Sequence, residues 1–197
     1  RDLHRLIRRQ RQMCIRDSVI LGGIHPTVDY ENTLKACGEA VDGIVVGEGE
    51  YVFAELVDRI CNESAGIEGV PNLYTHTHRK KQRTVERAQL SSKELLGLPV
   101  PAYDLLPEEC KPFVARFYTE RGCSSQCCFC SVGEFFKGRV SSAIPVDEKK
   151  VSSEIEVIID QQDIDHIVIG DLSMFNQRIP DRNFVKTLAS ILHSNGF

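Results

Sequence analysis

Short apolar runs alternate with amphipathic stretches along most of the chain. "VILGG" (19–23) is an apolar run closed by two glycines, the pattern of a buried parallel strand. "ENTLKACGEA" (31–40) reads as a helix, and "VDGIVVG" (41–47) as a second buried strand. "EGEYVFAELVDRICN" (48–62) has helical spacing, with Val52, Phe53, Leu56 and Ile60 predicted on its apolar side. Glu48 and Glu50 suit the positive end of that helix's dipole. Further on, "VPNLYTHTH" and "QRTVERAQL" flank the basic turn "RKKQ" and predict a hairpin, with His76 and His78 on one solvated face. "LGLPVPAYDLLPEECKP" (96–112) reads as an extended linker, because each Pro disfavours helix in the residue before it. From 113 the alternation returns. "FVARFYT" is a predicted strand, "VDEKKVSSEIEVIIDQQ" a helix with Val151, Ile155, Ile158 and Ile159 as its stripe, "IDHIVIGD" a buried strand, and "DRNFVKTLASILHSNGF" a helix ending at Gly196.

This pattern predicts an α/β protein in three parts: a partial α/β domain over 19–62, a hairpin and Pro-rich linker over 63–112, and strand–loop–helix repeated twice over 113–197. Two such units open a βα barrel without closing it, so the chain reads as a piece of a larger protein.

Composition changes the picture little. The 197 residues carry a net charge of −4, which gives no reason to expect nucleic acid as a partner. No apolar run approaches the length of a membrane span. The N-terminus is Arg-rich without an apolar core, so it does not read as a signal peptide. "MCIRDS" (13–18) resembles one translated frame of a transposase adapter used in sequencing libraries, so 1–18 are expected to be a non-native junction. A genuine basic helix is the alternative. Those residues hold six Arg and two Asp, which makes the remainder more acidic than the whole.

The cysteines change it more. Four of the eight lie in "RGCSSQCCFC" (121–130), while Cys14, Cys37, Cys61 and Cys110 are scattered. Bunching of this kind favours a reducing, cytoplasmic setting with one metal or cluster site over a disulfide framework. Cys123, Cys127 and Cys130 are spaced C-x₃-C-x₂-C. Three thiolates on one loop can hold three corners of a cubane cluster and leave the fourth iron open to a substrate. A zinc site on Cys123, Cys127, Cys130 and Cys110 is the alternative from the residues alone.

"CSSQCCFC" after a strand resembles the radical S-adenosylmethionine (SAM) superfamily, in which the third ligand follows an aromatic residue. Phe129 fits that aromatic position, and Cys128 falls on a free one. The resemblance implies a [4Fe–4S] cluster on Cys123, Cys127 and Cys130. It implies SAM on the open iron, reductive cleavage to a 5′-deoxyadenosyl radical, and Phe129 packed near the adenine. Asp171, after the second strand of the barrel, is implied as a SAM contact, with a turn cap as the alternative. Lys137, Arg139, Glu120 and Arg121 are read as solvated or as SAM contacts.

Upstream, "VILGGIHPT" followed by "VDGIVVGEGEYVFAELV" resembles the C-terminal half of the cobalamin-binding domain that precedes the radical SAM domain in one class of these enzymes. Gly22, Gly23, Gly47 and Gly49 would then line the groove for the cobalamin nucleotide tail. Each is also what a tight βα turn needs on its own. His25 is read as a loop residue, not a cobalt ligand. The expected fold is therefore the C-terminal half of a doubly wound cobalamin-binding-like domain, then the start of a radical SAM partial βα barrel. The expected function is cobalamin-dependent methyl transfer to carbon, acting on a small-molecule substrate with an electron donor such as flavodoxin or ferredoxin. The alternatives are a radical SAM enzyme without functional cobalamin binding, such as one transferring a sulfur group, and a zinc-stabilised module without catalysis.

Overall fold

The structure is a computed structural model that describes residues 18–61, 66–81, 83–102, 105, 114–118, 121–123, 125, 127–136, 148–161, 166–172 and 182–196. The expected junction at 1–18 lies outside them except for Ser18, as do Cys14, Cys110, Glu120, Lys137 and Arg139. The described parts are mixed α/β and fall into two compact units. One runs to Leu90 and takes in Glu134–Phe136; the other holds Ser91–Gly133 and the residues from Lys137 onward.

The first unit runs β1 (Ile20–Leu21), α1 (Ile24–Val28), α2 (Tyr30–Cys37), a 3₁₀ turn (Gly38–Ala40), β2 (Gly43–Val45), α3 (Glu50–Cys61), β3 (Leu73–Thr75) and α4 (His76–Lys80). The sheet is small and mixed. β2 lies between a parallel β1, with Ile20 opposite Gly43, and an antiparallel β3, with Val45 opposite Leu73. The apolar run Ile44–Val46 makes a strand buried on both faces. Ile44 and Val46 pack with Leu34, Val41 and Tyr74. Val45 packs with Val52, Leu56, Val70 and Leu73. Val52 and Leu56 are thus the buried face of α3. Phe53 (53% exposed) and Ile60 (41%) are not, which corrects the expected apolar side. For Phe53 the 100° step explains it: one residue past Val52 points well away from the sheet.

The hairpin expected over 70–90 does not form among the described residues. Leu73–Thr75 pairs with β2, and the chain then turns into α4. Local side chains favour that turn. His78 Nδ1 accepts from the Thr75 N–H (3.3 Å), as an N-cap partner does. Glu68 accepts from the Thr75 and Thr77 hydroxyls (3.2 and 2.9 Å). His76 and His78 therefore sit on a helix, with His76 Nε2 2.9 Å from the Val41 carbonyl.

The second unit contains α5 (Ser92–Gly97), β4 (Val114–Phe117), the start of α6 (Ser131–Phe135), α7 (Glu148–Gln161), β5 (His166–Ile169) and α8 (Arg182–Ser194). α5 falls within the segment expected to be hairpin and linker. Ser91 caps it, with the Glu94 N–H donating to Ser91 Oγ and Glu94 accepting the Ser91 N–H (3.3 and 2.7 Å). β4 and β5 pair in parallel, Val114 opposite His166 through Phe117 opposite Ile169. α7 and α8 share a core of Ile155, Leu188 and Ile191, against which Ile167 and Ile169 pack. β5 alternates exposed and half-buried residues, so it is not the fully buried strand expected.

Tyr74 and Tyr30 meet edge to face at 4.6 Å in the first unit. Burial first, and the Glu31 carboxylate second, push both phenols up from 10.0. A raised phenol pKa means the folded state holds its proton more tightly than the unfolded chain. That contribution is complete below the unfolded value and is lost as pH rises past it. Urea unfolding should therefore show stability falling as pH climbs above about 10, and falling less steeply in Tyr74→Phe. Equal slopes for the two proteins would contradict the assignment.

Candidate functional site

Two sets of loops leave parallel strands at their C-terminal ends. In the first unit these are the Gly22–Gly23 turn after β1 and the Val46–Gly49 loop after β2. Gly23 has φ +90° and ψ −172°, a region open in practice only to glycine. A Cβ built on it meets nothing within 4 Å, so this turn faces open space. Gly22 would bring a Cβ to 4.0 Å from Val45, an ordinary contact, and Gly49 to 3.3 Å from it.

Gly47 is different. Its φ is +103°, and a Cβ there would lie 2.2 Å from the Ala88 carbonyl oxygen. The segment around Ala88 runs alongside as a strand-like strap. The Ala88 N–H donates to the Val46 carbonyl (2.8 Å) and the Glu48 N–H donates to the Ala88 carbonyl (3.0 Å). The close approach that this glycine permits is made by the chain's own backbone. Glu48 fastens the same strap: its carboxylate is 3% exposed and accepts from the Leu90 N–H at 2.7 Å. The expected role of Glu48 at the helix dipole is thereby corrected; α3 begins at Glu50 and Glu48 is turned inward. Arg87 extends the strap's anchorage within this unit, donating to the Glu134 and Phe135 carbonyls.

A cleft of about 410 Å³ lined by Glu31, Asn32, Lys35, Tyr74 and Arg79 also belongs to this unit. None of the four glycines lines it. β3 is antiparallel to β2 and Thr75 lies opposite Gly43, so α4 starts at the other end of the sheet.

In the second unit the parallel pair ends at Phe117 and Ile169, on one edge. The cysteine loop follows the first exit and Asp171 the second. Asp171 is half-buried. Cys123 is half-buried and none of the loop cysteines forms a disulfide; Cys127, Cys128 and Cys130 are exposed. The Cys130 N–H donates to the Cys127 carbonyl (3.0 Å), which closes the C-x₂-C turn. Phe129 is 88% exposed. Gly122, with φ +98°, turns the chain into the loop. Among the described residues no three His, Cys, Asp or Glu side chains are gathered to hold a metal ion. The loop supplies three thiols at cluster spacing, Cys123 half-buried with Cys127 and Cys130 exposed, without drawing them together. Donor chemistry therefore fits an iron–sulfur cluster.

Sequence reasoning missed Thr27, Ala88 and Leu90, which shape the glycine loops. Only Thr27 carried any signal, as a polar residue one turn beyond Gly-Gly.

Residues 1–57 match the B12 binding domain. The chain is 30% identical over 156 residues to an uncharacterized methyltransferase of Pyrococcus horikoshii, covering 77% of this chain and 31% of that protein. It is 29% identical over 163 residues to the anaerobic magnesium-protoporphyrin IX monomethyl ester cyclase of Rubrivivax gelatinosus, covering 77% and 28%. It is 28% identical over 165 residues to the 2-(S-pantetheinyl)-carbapenam-3-carboxylate methyltransferase of Streptantibioticus cattleyicolor, covering 78% and 23%. The chain thus spans less than a third of the length of these relatives. The B12 binding match and the methyltransferase and cyclase relatives bear out the resemblance to cobalamin-binding radical SAM proteins. Among the described residues no helix is long and apolar enough to cross a membrane.

The glycine geometry separates two substitutions. Gly23→Ala carries backbone strain alone and should cost about 1–3 kcal/mol. Gly47→Ala carries similar strain and must also push away the Ala88 main chain, so its cost should be clearly larger. Chemical denaturation of both variants checks the order, and hydrogen exchange at the Ala88 amide should rise in Gly47→Ala only.

Proposed function

We propose that the chain is the cobalamin-binding and cluster-bearing part of a radical SAM enzyme that transfers a methyl group to carbon. The observation that carries this reading is the placement of the cysteine loop. It follows a parallel strand at its C-terminal end, with Asp171 leaving the neighbouring strand at the same edge. Catalytic loops of βα folds occupy that edge. When bound, a [4Fe–4S] cluster with SAM supplies one-electron reductive cleavage of the sulfonium. Cys123, Cys127 and Cys130 would hold the cluster, and Cys128 would stand aside. Phe129, exposed now, would be covered by the adenine, and Asp171 would accept a hydrogen bond from the SAM amino group. Gly22, Gly23 and Gly49 would let the cobalamin nucleotide tail lie against backbone, while Gly47 serves the strap. The partners are a small-molecule substrate and a low-potential electron donor such as flavodoxin or ferredoxin. The two methyltransferase relatives support methyl transfer, and the cyclase leaves ring formation as the nearest other outcome.

One observation favours a second reading, in which the same cluster chemistry proceeds without cobalamin: the Ala88 backbone already fills the space beside Gly47. Retention of added cobalamin through gel filtration separates the two.

Anaerobic reconstitution with iron and sulfide tests the cluster. The wild-type chain should turn brown, bind about four irons, and cleave SAM when reduced. Cys123→Ala, Cys127→Ala and Cys130→Ala should each lose the iron, and Cys128→Ala should keep it. A colourless protein holding one tight zinc would overturn the proposal.

A further inference from the structure

Thr27 is 0% exposed, yet it belongs to a helix of five residues between two turns. A hydroxyl taken fully out of water must be hydrogen-bonded, and this one is. It accepts from the Gly47 N–H at 3.0 Å and reaches the Val45 carbonyl at 3.5 Å. The need arises from the sheet itself. β1 pairs with Gly43 and Ile44 only, then turns away at Gly22–Gly23. Where strand pairing stops, the Thr27 side chain takes over. Its own main-chain N–H donates to the Gly23 carbonyl at 3.1 Å. One residue therefore bonds both glycine turns, Gly23 through its backbone and Gly47 through its side chain.

We infer that Thr27 is a positioning residue that sets the separation of the two glycine turns and so the shape offered to a ligand lying across them. It acts through Gly23 and Gly47 and need not touch the ligand. That the ligand is cobalamin rests on the proposed function; the latch itself does not.

Thr27→Val removes the hydroxyl at nearly constant shape, and Thr27→Ser keeps it. Thr27→Val should raise hydrogen exchange at the Gly47 amide about tenfold while the Ile44 amide stays protected, and Thr27→Ser should restore it. Titration with hydroxocobalamin should show about tenfold weaker binding in Thr27→Val and near wild-type binding in Thr27→Ser. Unchanged Gly47 exchange in Thr27→Val would overturn the inference. So would an equal rise at Ile44, which would make Thr27 a general stabiliser. Altered Gly47 exchange in a protein whose wild type takes up no cobalamin would support the latch and reject the cobalamin reading.

Discussion

The first unit depends on burying one strand from both sides. Ile44 and Val46 face one cluster and Val45 faces the other, so two residues of β2 and the one that follows it tie the unit together. A strand this short has few ladder hydrogen bonds of its own. Its stability comes from apolar area removed from water on each face, at roughly 25 cal/mol per Å². The same constraint decides where its ends can go. With both faces covered, the loop after Val46 must leave at the C-terminal edge, where the glycine turns gather.

That edge is shaped by the chain before any ligand arrives. Thr27 bonds the loop from α1, and the strap of residues 86–90 bonds it through Ala88 and the Glu48 carboxylate. Two glycines of similar sequence context therefore do different work. Gly23 has open space beyond its missing side chain, and Gly47 has the Ala88 carbonyl. A preorganised loop loses less conformational entropy when it meets a ligand, which suits a site for a large, rigid cofactor. The cysteine loop is built otherwise. Three of its four cysteines are exposed and, among the described residues, its thiols are not gathered, so a cluster held there would itself have to draw them together.

Much of the fold was legible in the chain. The runs "VILGG" and "VDGIVVG" place β1 and β2, and the helical spacing after Gly49 places α3 near its observed bounds. Strong periodicity reports burial, and burial is what holds those elements. The hairpin failed because "LYTHTH" alternates as a strand does, yet Thr75, His78 and Glu68 form side-chain bonds that start a helix. Such bonds depend on geometry across residues 68–78, which alternation does not encode. Phe53 and Ile60 were placed on the wrong side of α3 for a related reason: an apolar residue near the stripe is not necessarily under the sheet.

By itself the sequence determined the chemistry on offer: three cysteines at C-x₃-C-x₂-C, an aromatic residue before the third, and glycines closing two strands. Spacing along a chain is local and survives any folding, so these can be read directly. Tertiary structure alone decided which backbone approaches which. It brought Ala88 onto Gly47, turned Glu48 inward to Leu90, and gave Thr27 a buried hydroxyl between two turns. Those contacts join residues 20 to 42 positions apart. They exist because buried polar groups must find partners wherever the packed sheet leaves them.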